Sequence, residues 1–86
     1  MEEFKDMFGQ ELKPGDWVAI ADTSKVMCVK ISHPSKGDSE NLIAKQYLMQ
    51  RADGKLVRCS ATYILTSWRM KNSCIKITDA VNKLNI

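Results

Sequence analysis

The step from Pro14-Gly15 into Trp17-Val18-Ala19-Ile20 constrains the fold more than any other feature, because it reads as a tight turn feeding a β-strand. Proline presets φ at about −65° for the first central turn position, and glycine accepts the positive φ that the second can require. Trp17, Val18 and Ile20 then carry the aromatic and β-branched side chains that suit a pleated, half-buried surface. A strand needs neighbours to pair with, and the rest of the sequence supplies them.

Asp22-Thr23-Ser24-Lys25 has turn chemistry, and Val26-Met27-Cys28-Val29-Lys30-Ile31 follows as an antiparallel partner. The segment 33–40, from His33-Pro34 to Ser39-Glu40, is the longest polar stretch and predicts an exposed, mobile loop. Residues 42–51 contain the good helix formers Leu, Ala, Lys, Gln and Met, so a helix is one reading. The two-residue hairpin signal Asp53-Gly54 and the return run Lys55-Leu56-Val57-Arg58-Cys59 favour a strand instead. From Tyr63 to Arg69 the chain reads as a bend through a 3₁₀ turn, and Asn72-Ser73 turns it into a last strand, Cys74-Ile75-Lys76-Ile77. Near the start, Phe4, Met7 and Phe8 at i, i+3 and i+4 with Gly9 behind them predict a short helical turn. Thr78 or Asp79 can cap a short helix that carries Val81 and Leu84 inward.

These elements make one domain over 1–86: a leader with a helical turn at 1–13, a barrel at 14–77 and a short helix at 78–86. Five short strands, tight turns and one longer loop close most economically into a mainly β, small SH3-like barrel, because curling the sheet reduces its exposed edges. An OB-like barrel and an α+β arrangement with a helix at 42–51 are the alternatives. A chain of 86 residues builds one modest core. No apolar run approaches the roughly 20 residues that span a bilayer, and the acidic opening Met1-Glu2-Glu3-Phe4-Lys5-Asp6 has no apolar block behind it, so membrane insertion and secretion are not expected. Three widely spaced cysteines, Cys28, Cys59 and Cys74, fit neither a disulfide framework nor a zinc ligand set. Reduced core thiols in a cytoplasmic protein are the expectation.

Phe8-Gly9-x-Glu11-Leu12-x-x-Gly15-Asp16-x-Val18 resembles the start of many small bacteriophage proteins, and its Gly15-Asp16-x-Val18 core is similar to the entry strand of KOW, Tudor and other SH3-like domains. The resemblance implies a barrel that binds nucleic acid or protein, often to redirect host machinery, and it brings no catalytic residues. Where KOW domains carry a glycine-rich turn, this chain has Asp22-Thr23-Ser24.

Catalytic constellations find no support in the residues: His33 is the single histidine and sits in a polar stretch, and neither GxGxxG nor GxxxxGK[ST] occurs. Glu2, Glu3, Asp6 and Glu11 read as a solvated acidic face. No enzyme, metal or cofactor is expected. Charge is divided along the chain: residues 1–24 hold six acids and two bases (−4), and residues 41–76 hold seven bases and one acid (+6). Such asymmetry points the basic half toward an anionic partner. With 42–51 as a strand, Ile43, Lys45, Tyr47, Met49 and Arg51 share one face and Leu42, Ala44, Gln46 and Leu48 the other. Lys45, Tyr47, Arg51, Lys55, Arg58, Trp68, Arg69 and Lys71 are therefore the candidate partner-binding residues. The plain alternative is that the cations keep the sheet soluble while Tyr47 and Trp68 fill the core. The favoured partner is a host protein with an acidic surface, which the chain would bind and modulate or inhibit. RNA or DNA held by the cations, with bases stacked on Tyr47 or Trp68, is the competing reading.

Overall fold

In the computed structural model, residues 4–22, 25–37 and 40–84 are described. The chain runs β1 (Phe4–Lys5), β2 (Glu11–Leu12), β3 (Trp17–Asp22), β4 (Lys25–Pro34), β5 (Leu42–Gln50), β6 (Leu56–Leu65), α1 (Ser67–Ser73), β7 (Cys74–Lys76) and α2 (Thr78–Lys83). The protein is mainly β. β1 and β2 form a small hairpin of their own, and a five-stranded antiparallel sheet has the order β6-β5-β4-β3-β7. Three hairpin-connected partners thus follow β3, and the last strand returns to lie on its other side.

The turn into β3 forms as its residues dictate. The Asp16 N–H donates to the Lys13 carbonyl at 3.0 Å, with Pro14 and Gly15 central and Gly15 at φ +95°. That is the geometry a proline followed by glycine prefers. The Gly15 N–H and the Ile31 N–H then tie the turn to β4 by bonding to the Ile31 and Asp16 carbonyls, at 2.8 and 2.9 Å. Leu42–Gln50 is a strand despite its helix-forming composition, because β4 and β6 flank it on both sides and saturate its backbone. The helix alternative is excluded.

Leu65 on one outer strand and Cys74 on the other belong to the same buried cluster, together with Val18, Ile20, Val29, Ile31, Leu42 and Ala44. The sheet must curl for its two ends to share a core. Among the described residues no ladder joins β6 to β7, so closure of the five strands into a barrel is not detected. The seven residues of α1 occupy the interval, with Met70 buried in the core, and β7 is only three residues long. The expected 3₁₀ bend is instead this α-helix of nearly two turns, capped by the Thr66 hydroxyl, which accepts from the Arg69 N–H.

Other expectations are corrected. Phe4 to Phe8 is not a helical turn but β1 followed by a reverse turn, in which the Gly9 N–H donates to the Asp6 carbonyl and the Asp6 N–H to the Gln10 carbonyl, both at 3.0 Å. The 51–55 connection has the same pattern, Gly54 N–H to the Arg51 carbonyl at 2.9 Å and Arg51 N–H to the Lys55 carbonyl at 2.8 Å, with Gly54 at φ +88°. It is a three-residue hairpin loop with glycine in the left-handed position, rather than a two-residue one. His33 and Pro34 lie in β4, not in a loop; His33 is half-buried with Nδ1 2.8 Å from the Pro34 carbonyl oxygen. Asp38 and Ser39 of that expected loop, and Thr23 and Ser24 of the first turn, fall outside the described residues. α2 buries Val81 as expected, but Leu84 is exposed. Neither Thr78 nor Asp79 caps α2. Its N-cap is Ile77, with no side-chain bond, because the Thr78 hydroxyl donates to Asp16 Oδ1 at 2.9 Å and accepts from the Trp17 N–H at 3.0 Å.

Candidate partner interface

Cross-strand register decides which face each side chain occupies, and in β5 it departs from simple alternation. Lys30 pairs with Gln46 but Ile31 pairs with Ala44, so Lys45 is an extra residue against β4. Upstream of this bulge Leu42 and Ala44 point into the core; downstream the inward residue is Tyr47, opposite buried Val29. The row of Lys45, Tyr47 and Arg51 on one face is therefore broken. Tyr47 packs against the core, half-buried, beside the Cys59 thiol, whose hydrogen bond raises the phenol above its ordinary pKa.

The face opposite the core carries Trp17, Lys30, Gln46 and Ser60 as one row across four strands, with Leu48 and Arg58 as the next cross-strand pair. Trp17 is buried there. α2 packs on β3, and Trp17 and Val81, one on each element, are the buried apolar side chains outside the main cluster. The Arg58 guanidinium lies 5.6 Å from the centre of the Trp17 ring, a cation–π contact on this face. Beside that row, at the bulge, Gly15, Lys30, Ile31, Ser32, Lys45 and Gln46 line a cleft of about 290 Å³. The Gln46 Oε1 atom is buried at this place without a hydrogen-bond donor.

The eight expected residues do not form one site. Lys45, Arg51, Lys55 and Arg58 belong to β5, β6 and their connecting turn and are exposed. Trp68, Arg69 and Lys71 belong to α1, which packs chiefly on β1, β3 and β7. There Arg69 donates to the Ala21 carbonyl at 3.0 Å, while Trp68 stays 64% exposed and so does not fill the core. Lys30 joins the cationic group and was invisible from spacing alone, because only the pairing with Gln46 places it beside Lys45.

The acids go elsewhere. Asp6, expected on a solvated face, is 4% exposed and accepts from the N–H groups of Phe8, Gln10 and Lys76 and from the Gln10 side-chain amide, at 2.8–3.0 Å. Burial acts to raise its pKa, but these donors outweigh it and hold the carboxyl below the usual carboxylate value. Asp16 accepts from the Thr78 hydroxyl and the Lys13 N–H and lies 3.7 Å from the Lys76 ammonium. Glu11 pairs with Lys13 at 3.7 Å. Glu2 and Glu3 lie outside the described residues. Negative charge is thus gathered around β7 and the turn into β3, and positive charge along β4, β5 and β6.

Among the described residues no three His, Cys, Asp or Glu side chains converge as a metal site, and no helix is long and apolar enough to cross a membrane. No protein-family profile matches the chain, and no curated protein or solved structure matches it either.

Proposed function

We propose that this protein is a non-enzymatic binding module that docks an acidic protein surface on the basic side of its sheet, through Lys30 and Lys45 at the cleft and Arg51 and Lys55 at the hairpin tip. The observation that carries this reading is the segregation of charge: Asp6, Glu11 and Asp16 make their bonds within the N-terminal segment and to Lys76 and Thr78, not to β5 or β6. A wall in which the cations outnumber the one nearby acid, Asp53 at the tip, attracts a complementary partner and speeds its encounter. Exposed Met49 beside the tip adds an apolar contact that salt does not screen. The nucleic-acid reading loses support, because Tyr47 packs on the core and Trp68 stands on α1, so neither offers a stacking face beside these cations. In the form that the opening motif suggests, the partner is a host protein that a phage or bacterial regulator binds and inhibits.

The test is a pull-down from host lysate with and without nuclease, repeated with the triple variant K45E/R51E/K55E. A stoichiometric, nuclease-resistant protein whose affinity falls at least tenfold in the variant supports the proposal. Recovery of nucleic acid alone, or a partner that binds wild type and variant equally, overturns it.

A further inference from the structure

We infer that the cleft at the Lys45 bulge seats an acidic side chain of a partner polypeptide, with its carboxylate between Lys30 and Lys45 and a backbone N–H of the same segment on Gln46 Oε1. The inference rests on the proposed docking of an acidic surface and names what enters the sheet there.

The cleft is a product of register. Lys45 has no cross-strand partner in either ladder, because the pairings with β4 and with β6 both pass from Gln46 directly to Ala44. A second irregularity lies beside it: Ile31 pairs with Ala44 and His33 with Ile43, so Ser32 is an extra residue of β4. Lys30 and Pro34 are as far apart along β4 as Gln46 and Leu42 along β5, so the two extras cancel and the ladder resumes in its former register. Extra residues bend a strand and re-aim its side chains. Here both of them, Ser32 and Lys45, line the opening.

The lining selects the occupant by charge, hydrogen bonding and size. Lys30 and Lys45 are its charged side chains, and among the described residues neither has an ion pair. Asp16, next to Gly15, directs its carboxylate to the Thr78 hydroxyl, the Lys13 N–H and the Lys76 ammonium instead. An anion is therefore favoured. The buried Gln46 Oε1 has no donor, a state that costs free energy until one arrives, and the broad last torsion of glutamine lets this oxygen face the cleft. Acetate brings charge without a donor, whereas an aspartate or glutamate within a polypeptide brings both, its backbone N–H lying a few bonds from its carboxylate. A volume of about 290 Å³ is at the small end for ligand pockets and suits one side chain with its peptide unit rather than a large cofactor. A Cβ at Gly15 would meet nothing within 4 Å, so the mouth is open for a chain to pass.

Titration of the full ¹⁵N-labelled chain, followed by nuclear magnetic resonance, checks this with five separate probes: the blocked peptide acetyl-Ala-Asp-Ala-amide, its Asn counterpart, acetate, inorganic phosphate and adenosine monophosphate. The Asp peptide is expected to shift the Gln46 side-chain amide together with the backbone amides of Gly15, Ser32 and Lys45, and to bind about fivefold more tightly than the Asn peptide. Lys30→Gln and Lys45→Gln should each weaken it about threefold. Gln46→Met keeps the side-chain length and removes the acceptor, so it should weaken the Asp peptide about fivefold and leave acetate unchanged. Equal binding of the Asp and Asn peptides, tighter binding of phosphate or adenosine monophosphate than of the Asp peptide, shifts centred elsewhere or absent, or a Gln46→Met variant that affects peptide and acetate alike overturns the inference. A lysate partner that is lost in K45E/R51E/K55E but binds Lys30→Gln and Gln46→Met as it binds wild type leaves the docking reading standing and overturns the role of the cleft. Absence of any such partner, with the peptide shifts intact, defeats the docking reading and supports the cleft as an acidic-peptide site.

Discussion

The two edges of the sheet are finished in opposite ways. At β7 the β1–β2 hairpin closes the edge, with Met7 bonded to Cys74 and the Asp6 carboxylate bonded to Lys76, so a strand of three residues has its outer backbone groups satisfied. At β6 the strand is more than three times as long and pairs only inward among the described residues. The hairpins beside the two edges use the same turn, a glycine N–H bonding back three residues and an N–H bonding forward four. They share the glycine, and at the first position one has Asp6 where the other has Arg51. A buried acid turns a hairpin into a cover; an exposed base leaves it as a projecting tip.

That contrast can be broken first at Asp6. Asp6→Ala strands the N–H groups of Phe8, Gln10 and Lys76 and should cost about 3 kcal/mol, read as a fall in urea midpoint. Because the folded carboxyl has a lowered pKa, its contribution is complete above the unfolded value of about 4 and is lost as pH falls through the lower folded one. The wild type should therefore lose stability as pH falls below about 4, and the alanine variant should lose less there. A variant with an unchanged midpoint would show that the cover does not depend on its acid. Next in size is Gly54→Ala at the open tip, where φ is +88° and the space is clear, so the cost is backbone strain alone, about 1–2 kcal/mol by thermal melting. The smallest effect is expected on β6 itself. Ile64→Gln, measured at dilute concentration, should move stability by no more than about 0.5 kcal/mol, since the side chain is more than half exposed. A larger loss would mean that this edge is covered after all.

Much of the ladder was legible because its signals are local. Pro14-Gly15 and Asp53-Gly54 specify turns by their own φ preferences, and Val18, Ile20, Val29 and Ile31 supply a run of β-branched residues at the core positions of two adjacent strands. What escaped depends on partners distant in sequence. The spacing of Phe4, Met7 and Phe8 matches a helical turn, but a backbone donor 70 residues away, on Lys76, holds Asp6 and draws the segment into a hairpin. Thr78 looked like a cap and is instead a clasp for Asp16, 62 residues earlier. The basic candidates on β5 were sound as exposed cations, but their shared face was not, because period-two counting cannot see an extra residue at Lys45. The 67–73 stretch, read as a bend, spends its residues on a helix rather than on a longer final strand.

The Lys45 bulge has a consequence for how this chain can vary. Upstream of it even-numbered positions of β5 are interior, and downstream odd-numbered ones are. One residue gained or dropped there would swap oil for water along the whole distal half of the strand, so homologues should tolerate length changes almost anywhere in the hairpin tip before they tolerate one at this single position.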